Sequence, residues 1–120
     1  MYFYRIIIEK DLKNSQIILE KNDRDKIIIA IKNLQKSQKF EQENALIYKS
    51  LARAYSLNNN EGKALLMLAE YNFILKENDK AQKLANEAII ELEKTQDKVA
   101  KLRAQDLIEI IETSEKKSKK

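Results

Sequence analysis

At 120 residues, with 43% apolar and 35% charged side chains and a formal charge of +4, the chain has the size of one domain and the well-solvated faces of a globular protein. It has one glycine and no proline, which argues against sheets joined by tight turns and for an all-α fold. It also has no cysteine and no histidine, which removes disulfides, thiolate sites, Ser-His and Cys-His nucleophile pairs and HExxH zinc centres, so neither catalysis nor a metal or cofactor is expected.

Apolar spacing predicts about six helices. In chain order they run from about Phe3 to Glu20, Arg24 to Lys39, Ala45 to Leu57, Glu61 to Leu75, Asp79 to Glu93 and Gln96 to Thr113. Asp23, Asn44, Asn60, Asn78 and Thr95 stand where N-caps are needed, because their side-chain oxygens can take orphan helix-start amides. Asn58-Asn59-Asn60 and Glu77-Asn78-Asp79 are the clearest loop signals. Residues 1–113 therefore read as one helical domain, and 114–120, with EKKSKK at its end, as a disordered basic tail. No apolar run approaches the roughly 20 residues that span a membrane. Arg5 interrupts the apolar start and no small-residue cleavage site follows it, so a signal peptide is not expected within the chain.

The positive charge raises nucleic acid as a partner, but the 23 basic residues are 19 lysines and four arginines. Phosphate and base recognition favour the planar fork of arginine, and four of the lysines lie in the terminal EKKSKK. A protein or peptide partner is the expectation, and nucleic acid is not.

Ala30 and Ala64, Leu34 and Leu68, and Ile17 and Leu51 are each 34 residues apart. That is the period of a tetratricopeptide repeat (TPR), whose antiparallel hairpins stack into a right-handed solenoid. Tyr48, Leu51, Ala52 and Tyr55 follow at i, i+3, i+4 and i+7 on one helix, with Ala64 and Leu68 on the next. Small residues let two helices approach and large ones fill the grooves beside them. The pattern departs from the repeat at Ala52, Lys76 and Lys98, where glycine, proline and a small residue are usual. The fourth helix is apolar nearly all round from Ala64 to Leu75, so it should be covered by the third, fifth and sixth helices. Its Glu70 reads as a half-buried carboxylate paired with Arg103.

Residues 45–111 contain LARAY, a polar turn with Glu61-Gly62, LAEY, KAQKLANEAI and LRAQD. This run resembles the C-terminal TPR region of periplasmic HExxH zinc metalloproteases of the BepA (YfgC) type. The resemblance implies the substrate- or partner-docking part of an exported protease concerned with outer-membrane protein quality control, with its zinc domain N-terminal to Met1 and its signal outside this chain. No zinc ligand carries over. A stand-alone helical adaptor, cytoplasmic and unrelated to proteolysis, fits the same residues.

In a TPR stack the first helix of each hairpin lines the concave surface. With Tyr48, Leu51 and Tyr55 facing the core, Lys49 and Arg53 fall on that lining stripe, and Lys80 and Lys83 take the equivalent stripe of the fifth helix. These four are the candidate partner-binding residues, suited to an acidic segment or a C-terminal carboxylate. Phe3, Ile6 and Ile7 on the first helix mark a second surface, expected to be uncovered and to drive a homodimer.

Overall fold

A computed structural model describes the backbone of residues 2–118 and the side chains of residues 6–116. The described residues form six helices and no strand: α1 (Tyr2–Lys21), α2 (Arg24–Phe40), α3 (Ala45–Leu57), α4 (Glu61–Ile74), α5 (Asn78–Lys94) and α6 (Lys98–Ser118). The all-α expectation holds, with helix ends within about three residues of the sequence reading except at the C-terminus. There α6 continues through Ser118, so residues 114–118 of the expected disordered tail are helical. No glycine or proline stops the helix, and Glu115, Lys116 and Lys117 all favour it. Residues 119 and 120 lie outside the described residues, as does the side chain of Phe3.

One link geometry recurs between helices. Asn22, Asn59, Lys76 and Gln96 have φ between 51° and 63°, the left-handed conformation that closes a helix C-terminus. After α3, α4 and α5 the closure is a full Schellman pair: the amides of Asn60, Glu77 and Asp97 reach the carbonyls of Tyr55, Asn72 and Leu92 at 2.8, 2.9 and 3.0 Å. The residue after each left-handed position then caps the next helix. Asp23, Asn44 and Asn60 accept amides from Asp25, Leu46 and Lys63 as the sequence suggested.

Two caps are corrected by this geometry. Thr95 ends α5, its hydroxyl donating to the Leu92 carbonyl, and the α6 cap is Asp97, which accepts from the Ala100 amide at 3.1 Å. Asn78 is the first residue of α5, and Glu77 holds the cap position without a side-chain bond. The α6 cap thus falls two residues after the position suggested by sequence and the α5 cap position one residue before it, in each case directly after a left-handed residue, Gln96 or Lys76.

Links this short make consecutive helices antiparallel neighbours, and each helix packs on the next along the chain. The molecule measures 44 × 38 × 20 Å, and its thin dimension is two helix diameters, so the hairpins stand in two layers. The tight side of the stack changes halfway. In the first half α1 also packs on α3, while in the second half α4 packs on α6. Buried Ser15 and Ser50 on α1 and α3, and buried Ala69 and Ala104 on α4 and α6, are small enough to permit these approaches. Neither α2 with α4 nor α3 with α5 makes so close a backbone approach among the described residues, although Gln38 of α2 reaches Met67 Sδ of α4 at 3.5 Å.

The α4 helix is covered by α3, α5 and α6, as its all-round apolar surface required. Leu34, Ile47, Leu51 and Leu66 fill the core between α2, α3 and α4, and Ala69, Ala81, Ala85, Leu107 and Ile111 continue it to α6. Gly62 in the first turn of α4 allows a close approach to α5: a Cβ built there would stand 2.7 Å from Leu92 Cδ2. The 34-residue recurrence is only partly a recurrence of environment. Ala30 and Ala64 are both buried, but Leu51 is fully buried while its counterpart Ile17 is 49% exposed. The buried stripe of α1 is Ile8, Leu12, Ser15 and Leu19, which turns Ile17 to the opposite face.

Candidate binding site

The separation of α2 from α4 opens a groove of about 800 Å³ on the even-helix side. One wall is the second half of α2, where Lys32, Lys36 and Lys39 recur at i, i+4 and i+7 and so share one face. The opposite wall carries Arg103 of α6, and Tyr48 of α3 shows through between them. All three lysines are exposed, and none joins an ion pair among the described residues.

The polar groups at the base are held in place. Tyr48 Oη donates to the Gln42 carbonyl at 2.8 Å, and Gln35 Nε2 donates to Tyr55 Oη at 2.7 Å, so α3 is tied both to the α2–α3 link and to α2 itself. Burial pushes the Tyr48 hydroxyl above its ordinary pKa, and the nearby Glu70 carboxylate adds to the effect. The hydroxyl therefore keeps its proton at neutral pH.

Arg103 forms the pair with Glu70 that the sequence suggested. Its Nε and a terminal nitrogen meet the two carboxylate oxygens at 2.5 and 2.7 Å, the bidentate geometry that fixes a guanidinium plane. The Glu70 side chain is only 13% exposed. Burial raises its pKa and the hydrogen bonds and charge of Arg103 offset part of that rise. Arg103 thus contributes a rigid wall with its charge largely satisfied, and the uncompensated positive potential of the groove comes from the α2 lysines.

A second groove, about 1060 Å³, continues from the first past Tyr48 and Gln42. It is more apolar, with Phe73, Ile74, Leu107 and Ile110 along it beside the charged Glu43, Glu70 and Lys76. Together the two make a channel that is basic at the α2 end and apolar at the α6 end, the combination that seats an extended or helical peptide with both charged and apolar side chains.

The residues singled out from sequence are placed differently. Lys49 and Arg53 line a smaller depression between α3 and α1, opposite Glu20, with Lys49 Nζ 6.0 Å from the centroid of the Tyr71 ring. Lys80 lies 3.4 Å from Glu77 in an exposed pair, and Lys83 is exposed on α5. Because α3 and α5 do not pack on each other, the two pairs do not share one wall. A regular stack keeps the odd helices in register along one surface, and the change of tight side after α3 breaks that register. The Lys32–Lys36–Lys39 stripe was visible as an i, i+4, i+7 spacing, but nothing local showed that α2 faces an opening.

Among the described residues no three carboxylates gather to hold a metal ion, and no helix is long and apolar enough to cross a membrane. Compared with known proteins, the chain matches no family model, no curated protein and no solved structure.

Proposed function

We propose that this chain is a protein-interaction module that holds an acidic peptide segment in the channel between α2 and α6. The observation that carries the reading is the triad Lys32, Lys36 and Lys39, without an ion pair among the described residues, facing a groove whose base is ordered by Tyr48, Gln42 and the Glu70–Arg103 pair. Acidic side chains of the ligand would meet the lysines, and its apolar side chains would lie toward Phe73 and Ile110. The reading assigns the chain binding and no catalysis, in keeping with a sequence that has neither histidine nor cysteine.

The finer proposal rests on LARAY, LAEY and LRAQD alone. In that proposal the ligand is a substrate or assembly partner of a periplasmic zinc metalloprotease, and the module docks it. Capture of outer-membrane assembly components by the purified chain would distinguish this from a stand-alone adaptor.

The test of the groove is fluorescence anisotropy with labelled peptides rich in aspartate and glutamate, beside neutral peptides and single-stranded DNA. Acidic peptides should bind with an affinity that falls as salt rises. The pair Lys32→Glu with Lys39→Glu should weaken binding about tenfold or more, and Lys49→Glu with Arg53→Glu should change it little. Binding that ignores the α2 pair, or follows the α3 pair instead, would overturn the assignment. Tighter binding of DNA than of any acidic peptide, with a steep salt slope, would replace it with a nucleic-acid reading.

A further inference from the structure

Each outermost helix presents a stripe of mixed apolar and charged residues on the face turned away from the core. On α1 the stripe opposite Ile8, Leu12, Ser15 and Leu19 is Ile6, Lys10, Lys13 and Ile17, with the two isoleucines 53% and 49% exposed. On α6 the side facing away from Ala100, Ala104, Leu107 and Ile111 carries Val99, Leu102, Asp106, Glu109 and Ile110, with Val99 83% exposed. Among the described residues α1 packs on α2 and α3, and α6 on α5 and α4. Both outer flanks are open. None of Lys10, Lys13, Asp106 and Glu109 is in an ion pair among the described residues.

We infer that the two faces are complementary halves of one contact between copies of this chain, α1 of one copy lying antiparallel on α6 of the next as a seventh helix of the stack. Setting Lys10 opposite Asp106 fixes an antiparallel register, and that register brings Ile6 opposite Ile110 and Ile17 opposite Val99. Apolar ends therefore meet apolar ends with the Lys10–Asp106 pair between them, while Lys13 falls opposite Arg103, whose charge Glu70 already takes up. A symmetric contact through α1 alone fails this check. Matching Ile6 to Ile17 across a two-fold axis places Lys10 against Lys13 of the other copy, which is repulsive. The homodimer expected from the first helix is thus replaced by a heterologous, head-to-tail contact, which closes into rings or runs on as filaments. The contact shares Ile110 with the apolar end of the channel but uses none of the α2 lysines, and Lys10 and Asp106, where it is tested, line neither groove.

Sedimentation velocity over a dilution series, at low and high salt, tests the contact on the full chain. The expected result is reversible, concentration-dependent association that weakens with salt. Lys10→Glu and Asp106→Lys should each reduce it about tenfold or more. Mixing the two variants should restore it, because the Lys10→Glu chain then offers its α1 to the Asp106→Lys chain's α6. Both positions are exposed, and unchanged circular dichroism would verify that each variant folds. A monomer at every concentration would overturn the inference. So would association that ignores Asp106→Lys, the signature of a symmetric α1 contact, or losses that mixing does not repair.

Discussion

Replacing Gly62 by alanine sets two effects of opposite sign against each other. In the first turn of α4 the exchange should favour the helix by roughly 0.5–1 kcal/mol, since glycine loses the most backbone freedom on folding. The added methyl, however, would stand 2.7 Å from Leu92 Cδ2, 2.9 Å from Cγ and 3.3 Å from the Leu92 backbone nitrogen. Leu92 has little room to yield. Its side chain is 1% exposed, and its carbonyl accepts the Asp97 amide that closes α5. Overpacking a rigid site costs about 1–3 kcal/mol, so Gly62→Ala should be net destabilising by about 1–2 kcal/mol. Urea unfolding followed by far-ultraviolet circular dichroism measures it as a lower midpoint at unchanged slope. A double-mutant cycle isolates the cause. In a Leu92→Ala background, itself destabilised by about 2–5 kcal/mol, the methyl has space and Gly62→Ala should become neutral or stabilising. A single variant more stable than the parent, or a penalty that survives in the Leu92→Ala background, would refute the steric account.

Lys76 and Gln96 hold left-handed backbone with side chains that disfavour it. Glycine at either position should raise stability by about 0.5–1 kcal/mol, the relief of left-handed strain less the entropy glycine adds to the unfolded chain; a lower melting temperature for both would contradict the strain. Arg103→Ala removes the partner of a carboxylate that is 13% exposed, and because Arg103 itself is 46% exposed the loss should be about 1–2 kcal/mol rather than the larger cost of a fully buried pair. Burial already places the folded pKa of Glu70 above its ordinary 4.5. The stability held by its protonated form is therefore complete below that ordinary value and is lost as pH rises through the folded value. Without Arg103 the folded value climbs further, so the deficit of Arg103→Ala should be greater at about pH 7 than at about pH 4, and Glu70→Gln should remove that pH dependence. A deficit equal at both would mean that Glu70 is not the group responsible.

Helix boundaries and three of the caps were legible because their causes are local. An asparagine or aspartate before an apolar-periodic run sufficed for Asp23, Asn44 and Asn60. The Glu70–Arg103 pair was legible too, since one carboxylate on an otherwise apolar helix needs a cation from a neighbouring element. Thr95 and Asn78 were misplaced by one or two positions because the left-handed residues ending α4 and α5 are a lysine and a glutamine, which carry no turn signature. The recurrence of Ile17 and Leu51 failed for a related reason. A repeat period aligns positions along the chain, but the buried stripe of α1 is set by Leu12, Ser15 and Leu19 against α2 and α3.

By itself, then, the sequence determined six antiparallel helices, the buried stripe of α3 and the all-round burial of α4, and the lack of any histidine or cysteine chemistry. Periodicity and composition decide those residue by residue. Which side of the stack opens was decided only in three dimensions. The spacing of second-neighbour helices depends on residues far apart in sequence, and small buried ones stand on each pair that packs: Ser15 and Ser50 on α1 and α3, Ala69 and Ala104 on α4 and α6. With α1 packed on α3 and α4 on α6, Lys32, Lys36 and Lys39 are left facing a groove.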